Sequence, residues 1–224
     1  MPIFLDQSQL VHGARISMAF SRRSLLVTAG TALVAGATGG LARAQGTTTD
    51  TRITPRELGD PKAKIVVEEW FSLTCIHCAH FAENTFPLVK KNLIDTGKIR
   101  YVFHDFPTDQ LATVAAMVAR TLPPERYEAF AVSLLSSLDR WAYVQNGSPL
   151  EALKKMAAFA GMPGETFDKT VADQQLMQFI LAQQTEAQDK YHFDSTPTFR
   201  FNNKIQVSND MDYETFAKNV TDAS

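Results

Sequence analysis

The chain has 224 residues, of which 45% are hydrophobic, and its 22 Lys and Arg against 24 Asp and Glu leave a formal net charge of −2. That balance excludes a strongly basic chain, and nothing in it suggests nucleic acid or an anionic membrane surface as a partner. The 2 cysteines exclude a disulfide-stapled scaffold and an iron–sulfur centre held by four thiolates from one chain.

In chain order, the first element reads as an export signal. Ser21-Arg22-Arg23-Ser24-Leu25-Leu26 opens a weakly apolar, Ala-, Gly- and Thr-rich stretch that runs to Leu41, and Ala42-Arg43-Ala44 then supplies an A-x-A cleavage site. The stretch is short for a membrane span and contains glycines, so removal is expected rather than anchoring. The paired arginines resemble the twin-arginine signal, although Leu25 stands where that pattern prefers Phe and Val27 where it prefers Lys, which leaves the Sec route open. Met18 is an alternative start, because nothing ahead of it adds to a signal. Cleavage after Ala44 leaves residues 45–224, about one domain with an insertion. Loss of Arg15, Arg22, Arg23, Arg43 and Asp6 takes the charge from −2 to about −5.

Residues 45–62 are Thr-rich and broken by Pro55, Gly59 and Pro61, and read as a leader. The β-branched and aromatic run from Lys64 to Phe71 predicts a buried strand. Ser72-Leu73-Thr74 then carries the chain into a helix that begins near Cys75, places Ala82, Phe86, Val89 and Leu93 on one face, and stops at Gly97. Pro87 inside it predicts a kink. A second strand, Ile99 to His104, ends at Pro107, so strand, helix and strand form a parallel crossover.

Residues 108–190 show helical patterns separated by Pro123-Pro124, by Asn146-Gly147-Ser148-Pro149 and by Gly161-Met162-Pro163-Gly164. Ser148, Pro149 and Glu151 form a capping box with proline at the first helical position. Thr198-Phe199-Arg200-Phe201, an Asn202-Asn203 turn and Lys204-Ile205-Gln206-Val207 predict a hairpin, followed by a closing helix from Asp212. Trp70, Trp141 and the phenylalanines fall at core spacing. His104 and His192 have no partner visible in sequence.

The chemistry is concentrated in Cys75-Ile76-His77-Cys78, which holds both cysteines. Covalent haem attachment needs a histidine directly after the second cysteine, where Ala79 stands. A structural zinc site needs four Cys or His ligands, and only His77 and His80 are at hand to complete the pair. An exported chain that keeps its cysteines in one short motif is not using them as a staple, so a reactive pair is expected. At the start of a helix, Cys75 meets unsatisfied N–H groups that favour a thiolate, which makes it the attacking sulfur. Cys78, one turn further in, would resolve the mixed disulfide.

With Leu58-Gly59-Asp60-Pro61, Glu69-Trp70-Phe71-Ser72, Cys75-Ile76-His77-Cys78 and Thr196-Pro197-Thr198-Phe199 in this order, residues 58–220 resemble the DsbA-like branch of the thioredoxin superfamily. The resemblance implies an α/β thioredoxin fold with an inserted all-helical domain and a central mixed β-sheet. Residues 63–107 would form its first half, 108–190 the insertion and 191–224 its second half. It further implies that His77 tunes the Cys75 thiolate, that Glu69 is a buried acid accepting the Cys78 proton, and that Thr196-Pro197 is a cis-proline loop. With Ile76, that loop would meet client peptides. The Pro-His dipeptide of strongly oxidising members is Ile-His here, and Thr196 stands where such members often carry Val.

The expected function is an exported, periplasmic thiol–disulfide oxidoreductase, with no cofactor and no metal, that introduces disulfides into extracytoplasmic client proteins. A membrane redox partner would recycle it. No dimerisation domain is visible, so a monomer is expected, and nucleic acid is not a partner. The alternatives are a reductase or isomerase of the same fold, a Cu(I)-binding module using Cys75 and Cys78 with His77 or His80, and a redox-idle structural relative.

Overall fold

The computed structural model describes residues 49–224; the expected export signal, residues 1–44, lies outside them. A 3-10 turn, Thr51–Ile53, leads into strand β1, Arg56–Gly59. Strand β2, Ile65–Phe71, follows, then helix α1, Ile76–Asn84, helix α2, Phe86–Val89, a π-helical turn, Lys90–Ile94, and strand β3, Ile99–Asp105. A helical block comes next: α3, Gln110–Thr121; α4, Tyr127–Leu135; α5, Leu138–Trp141; α6, Pro149–Phe159; α7, Gly164–Val171; and α8, Gln174–Tyr191. Strands β4, Thr198–Phe201, and β5, Ile205–Val207, and helix α9, Tyr213–Asp222, close the chain.

The sheet order is β1-β3-β2-β4-β5, with β2 and β3 parallel and the other neighbours antiparallel, so the sheet is mixed. The stretch expected as a leader therefore contributes an edge strand. Four residues around a charged Arg56-Glu57 pair carry no alternation strong enough to read as a strand, and tertiary pairing with β3 supplies what local propensity lacks. Gly59 ends that strand at φ 91°, and a Cβ there would lie 2.4 Å from the Ile99 carbonyl oxygen. Only glycine fits both the torsion and the contact.

The long helix after β2 is divided rather than gently bent. Pro87 cannot donate into the preceding turn, so α1 ends at Asn84, capped by Thr85, whose N–H bonds to Phe81 O, and α2 restarts with Pro87 in its first turn. Gly97, at φ 72°, turns the chain back toward β3. Alternation along β3 buries Ile99, Tyr101, Phe103 and Asp105 on one side of the sheet. There Phe81, Phe86, Tyr101, Phe103, Phe199, Phe201 and Phe216 pack edge-on or tilted between α1, α2, α9 and the sheet.

On the opposite side, Trp70 is covered by Phe193, Tyr191 and Ala187 from the end of α8, and stacks at 4.4 Å on His104. His104 thus gains the partner the sequence withheld, and its Nε2 lies 3.2 Å from Glu68 Oε1. His192 sits at φ 58° and closes α8 as a left-handed cap. With Phe201 opposite Ile205 the hairpin connection is three residues, Asn202 to Lys204, with φ 51° and 58° at the two asparagines, and the Asn202 carboxamide oxygen accepts from Val66 N–H at 2.9 Å. Ser148 caps α6 by accepting from Glu151 N–H.

Candidate active site

Strand β2 ends at the point where the sheet meets α1, and Cys75 is the N-cap of that helix, at φ −81° and ψ 125°. Its N–H donates to Ser72 O at 3.1 Å, while its own side chain caps nothing. The sulfur is left facing the free N–H groups of the first turn. Cys75 is half-buried and Cys78 is fully buried, and both are thiols in this structure. The Cys78 thiol first, then the Thr196 side chain and the nearby backbone N–H groups of Cys78 and His77, favour the thiolate and bring Cys75 down to about 5 against the opposing effect of burial. Cys78 goes the other way. Burial raises its thiol first, and its bond to Cys75 and the charges of Cys75 and Glu69 add to that.

The site therefore offers one ready nucleophile and one thiol held in reserve. When Cys75 is joined to another sulfur its negative charge disappears, and two of the influences that keep Cys78 protonated disappear with it.

Glu69 lies beneath this pair, 4% exposed, and accepts a hydrogen bond from Tyr101 Oη at 2.7 Å. Burial, with the Cys75 charge adding to it, pushes its carboxyl up to about 7, against the phenol's opposing pull. Its neighbour Glu68 points to the other face, toward His104 and Arg200, as the two-residue period of a strand demands. Tyr101 was readable as a strand residue but not as the partner of Glu69, because the pairing depends on β2–β3 register, which sets Tyr101 opposite Val67.

Antiparallel pairing of β4 with the end of β2 sets Trp70 opposite Thr198. This brings the preceding Thr196-Pro197 bond, which is cis, to the dithiol. As a thiol, Cys75 donates to the Thr196 carbonyl at 3.3 Å. Ile76 is 62% exposed beside the sulfur. His77 is placed differently from the expectation that its ring tunes the thiolate. Its Nδ1 lies 3.4 Å from Asp210 Oδ1, and the other oxygen of Asp210 lies 2.7 Å from His80 Nδ1. A carboxylate on the β5–α9 loop thus lies beside the ring, while the backbone N–H of residue 77 is on the side of the Cys75 sulfur. The two histidines that could have completed a metal site with the cysteines both face Asp210. Among the described residues, no group of three or more His, Cys, Asp or Glu is gathered to hold a metal.

Residues 51–222 match the family model described as Thioredoxin. The Rickettsia felis "Putative protein-disulfide oxidoreductase" is 31% identical over 153 residues, covering 68% of this chain and 54% of that protein. A Rickettsia prowazekii protein of the same description is also 31% identical over 153 residues, covering 68% of this chain and 55% of its own. The chain thus spans about half the length of the curated relatives it matches. Among solved structures, Wolbachia pipientis α-DsbA1 is 31% identical with a TM-score of 0.71, over 76% of this chain and 90% of that one. BdbD from Bacillus subtilis, 18% identical with a TM-score of 0.66 over 75% of this chain and 92% of its own, shares the fold. The chain belongs to the thioredoxin family, and within it to the DsbA-like branch.

Proposed function

We propose that this protein is an exported thiol–disulfide oxidoreductase that introduces disulfides into extracytoplasmic proteins through Cys75 and Cys78. The observation that carries the reading is the placement of the two sulfurs, Cys75 half-buried at a helix start and Cys78 fully buried within it, which brings the first down to about 5 and raises the second. Stabilising the Cys75 thiolate stabilises the reduced enzyme, and a stabilised reduced form makes its disulfide the stronger oxidant.

In the oxidising direction a client thiolate attacks Cys75 Sγ of the Cys75–Cys78 disulfide, forming a mixed disulfide and releasing Cys78 as a thiolate that takes up a proton. A second client thiolate then attacks the client sulfur, the client disulfide forms, and Cys75 leaves as a thiolate. Two electrons have passed to the enzyme, and a membrane redox partner removes them. In the reverse direction Cys78 must lose its proton to resolve the mixed disulfide, and Glu69, with its carboxyl near neutrality, is the acceptor.

Clients would meet Ile76, Thr196 and Pro197 first. A groove of about 510 Å³ between α3 and the start of α6, lined by Leu111, Val114, Pro149 and Leu150 among others, offers apolar surface for an unfolded segment. The reading includes cleavage of the export signal after Ala44, a periplasmic location and action as a monomer. No helix among the described residues is long and apolar enough to cross a membrane.

The test is the equilibrium potential of the Cys75/Cys78 pair against glutathione, with trapped thiols as the readout. A value toward about −120 mV supports disulfide introduction; one near about −270 mV overturns it in favour of reduction or reshuffling.

A further inference from the structure

The turn that presents Cys75 is held from an unexpected direction. Thr74, 4% exposed, is gripped at two atoms by the helical insertion. Its hydroxyl donates to Asp109 Oδ2 at 2.5 Å, and its carbonyl accepts from the hydroxyl of Tyr143 at 2.5 Å. Asp109 is itself fixed, since its other oxygen caps α3 by accepting from Ala112 N–H at 2.8 Å. Ser72, two residues upstream, is tied to Thr108 at 2.9 Å. Tyr143 follows α5, with its N–H bonded to Leu138 O, and is 51% exposed. A half-exposed tyrosine has no packing reason to send its hydroxyl to one main-chain carbonyl beside the dithiol.

That carbonyl belongs to the peptide joining Thr74 to Cys75, and the N–H of the same peptide donates to Ser72 O. A peptide unit is planar, so two directional hydrogen bonds, one at its oxygen and one at its nitrogen, restrict how it can tilt. Its orientation sets φ of Cys75, and with it where Sγ stands relative to the N–H groups of His77 and Cys78 and the Thr196 side chain.

We infer that Tyr143 is a positioning residue of the dithiol site: its hydroxyl, reaching from the insertion, fixes the Thr74–Cys75 peptide and so aims the Cys75 sulfur at the groups that stabilise its thiolate. The inference rests on Cys75 being the attacking sulfur of the proposed oxidoreductase. It gives the insertion a part in setting reactivity besides any part in client binding. The titratable groups acting on Cys75 from around it are Cys78, Glu69 and Tyr143 itself, whose phenol is raised by burial, then by Asp109 and Cys75.

The test titrates the Cys75 thiolate of the reduced protein by ultraviolet absorbance in the wild type, in Tyr143→Phe, which loses only the hydroxyl, and in Tyr143→Leu, which loses the ring as well. Loss of one hydrogen bond's worth of positioning raises the Cys75 pKa in Tyr143→Phe by about half a unit to one unit. The equilibrium constant for oxidising glutathione falls about threefold to tenfold in the same variant. Tyr143→Leu shifts both by a similar amount. A low wild-type pKa left unmoved in Tyr143→Phe overturns the inference alone, whether or not Tyr143→Leu moves it, since a shift confined to Leu would belong to ring packing. A wild-type Cys75 titrating near the ordinary thiol value overturns the reading of the site and the inference together.

Discussion

Two carboxylates are buried on adjacent strands, and they are treated in opposite ways. Asp105, at the end of β3, is 1% exposed and is met by the guanidinium of Arg120, through Nε, and by Tyr127 Oη at 2.9 Å. Arg120 is buried too, and its Nη1 also donates to the carbonyls of Arg52 and Thr54, at 3.0 and 3.1 Å. Glu69, on β2, is similarly buried and has the same kind of phenol donor, but no cation partner among the described residues. A buried carboxylate with an arginine and a phenol is a structural anchor, here for the segment leading into β1. One with a phenol alone has its ionised form disfavoured and titrates near neutrality, where it can take up and give back a proton. The cation separates the anchor from the acid.

Taking Arg120 away should break the comparison most severely. Arg120→Met leaves Asp105 with a single phenol, as Glu69 has, but at a site with no proton-transfer role. The expected loss is about 3–5 kcal/mol of folding stability, read as a lower urea midpoint. Glu69→Gln should act in the reverse sense. The folded-state pKa of Glu69 is raised from 4.5 to about 7, so the stability its protonated form contributes is fully present below about pH 4.5 and is lost as the pH rises through about 7. Glutamine carries no such loss. The variant should match the wild type near pH 4 and exceed it by about 3 kcal/mol above pH 8, in urea titrations across that range.

The same variant separates stability from chemistry. Without the carboxylate, resolution by Cys78 should slow on the order of 10²-fold, seen as longer-lived mixed disulfides with a model client thiol. An unchanged lifetime would leave Glu69 a buried acid without a role. The smallest effect concerns the coupling between Glu69 and the sulfur above it. Cys75→Ser removes a charge that raises Glu69, so the carboxyl should titrate below its wild-type position of about 7, followed by its infrared carboxylate band.

Much of this site could be read along the chain because its parts are local. The spacing of Cys75 and Cys78, the strand before them, Pro87 inside the helix and the capping box at Ser148 each depend on a few consecutive residues. Strand alternation allows only one of Glu68 and Glu69 to face the cysteines, and the choice of Glu69 rests on the resemblance. What stayed hidden depends on contacts between distant elements. Arg56–Gly59 became a strand because β3 offered an edge. Tyr101 met Glu69 through register, Asp210 drew His77 and His80 from a loop more than a hundred residues away, and Arg120 found Asp105 across the fold. Tyr143 carried no signal, because its only mark is a bond to a backbone carbonyl, which no side-chain pattern records.

The central claim is that Cys75 is a thiolate at neutral pH while Cys78 waits as a thiol. Alkylation of the reduced wild-type protein across a pH series, with the modified cysteine located by mass spectrometry, tests it most directly. Label should appear on Cys75 alone, with its rate half-maximal at about pH 5. A half-maximum at about pH 8.5, the value of an ordinary thiol, or label appearing first on Cys78, would contradict it.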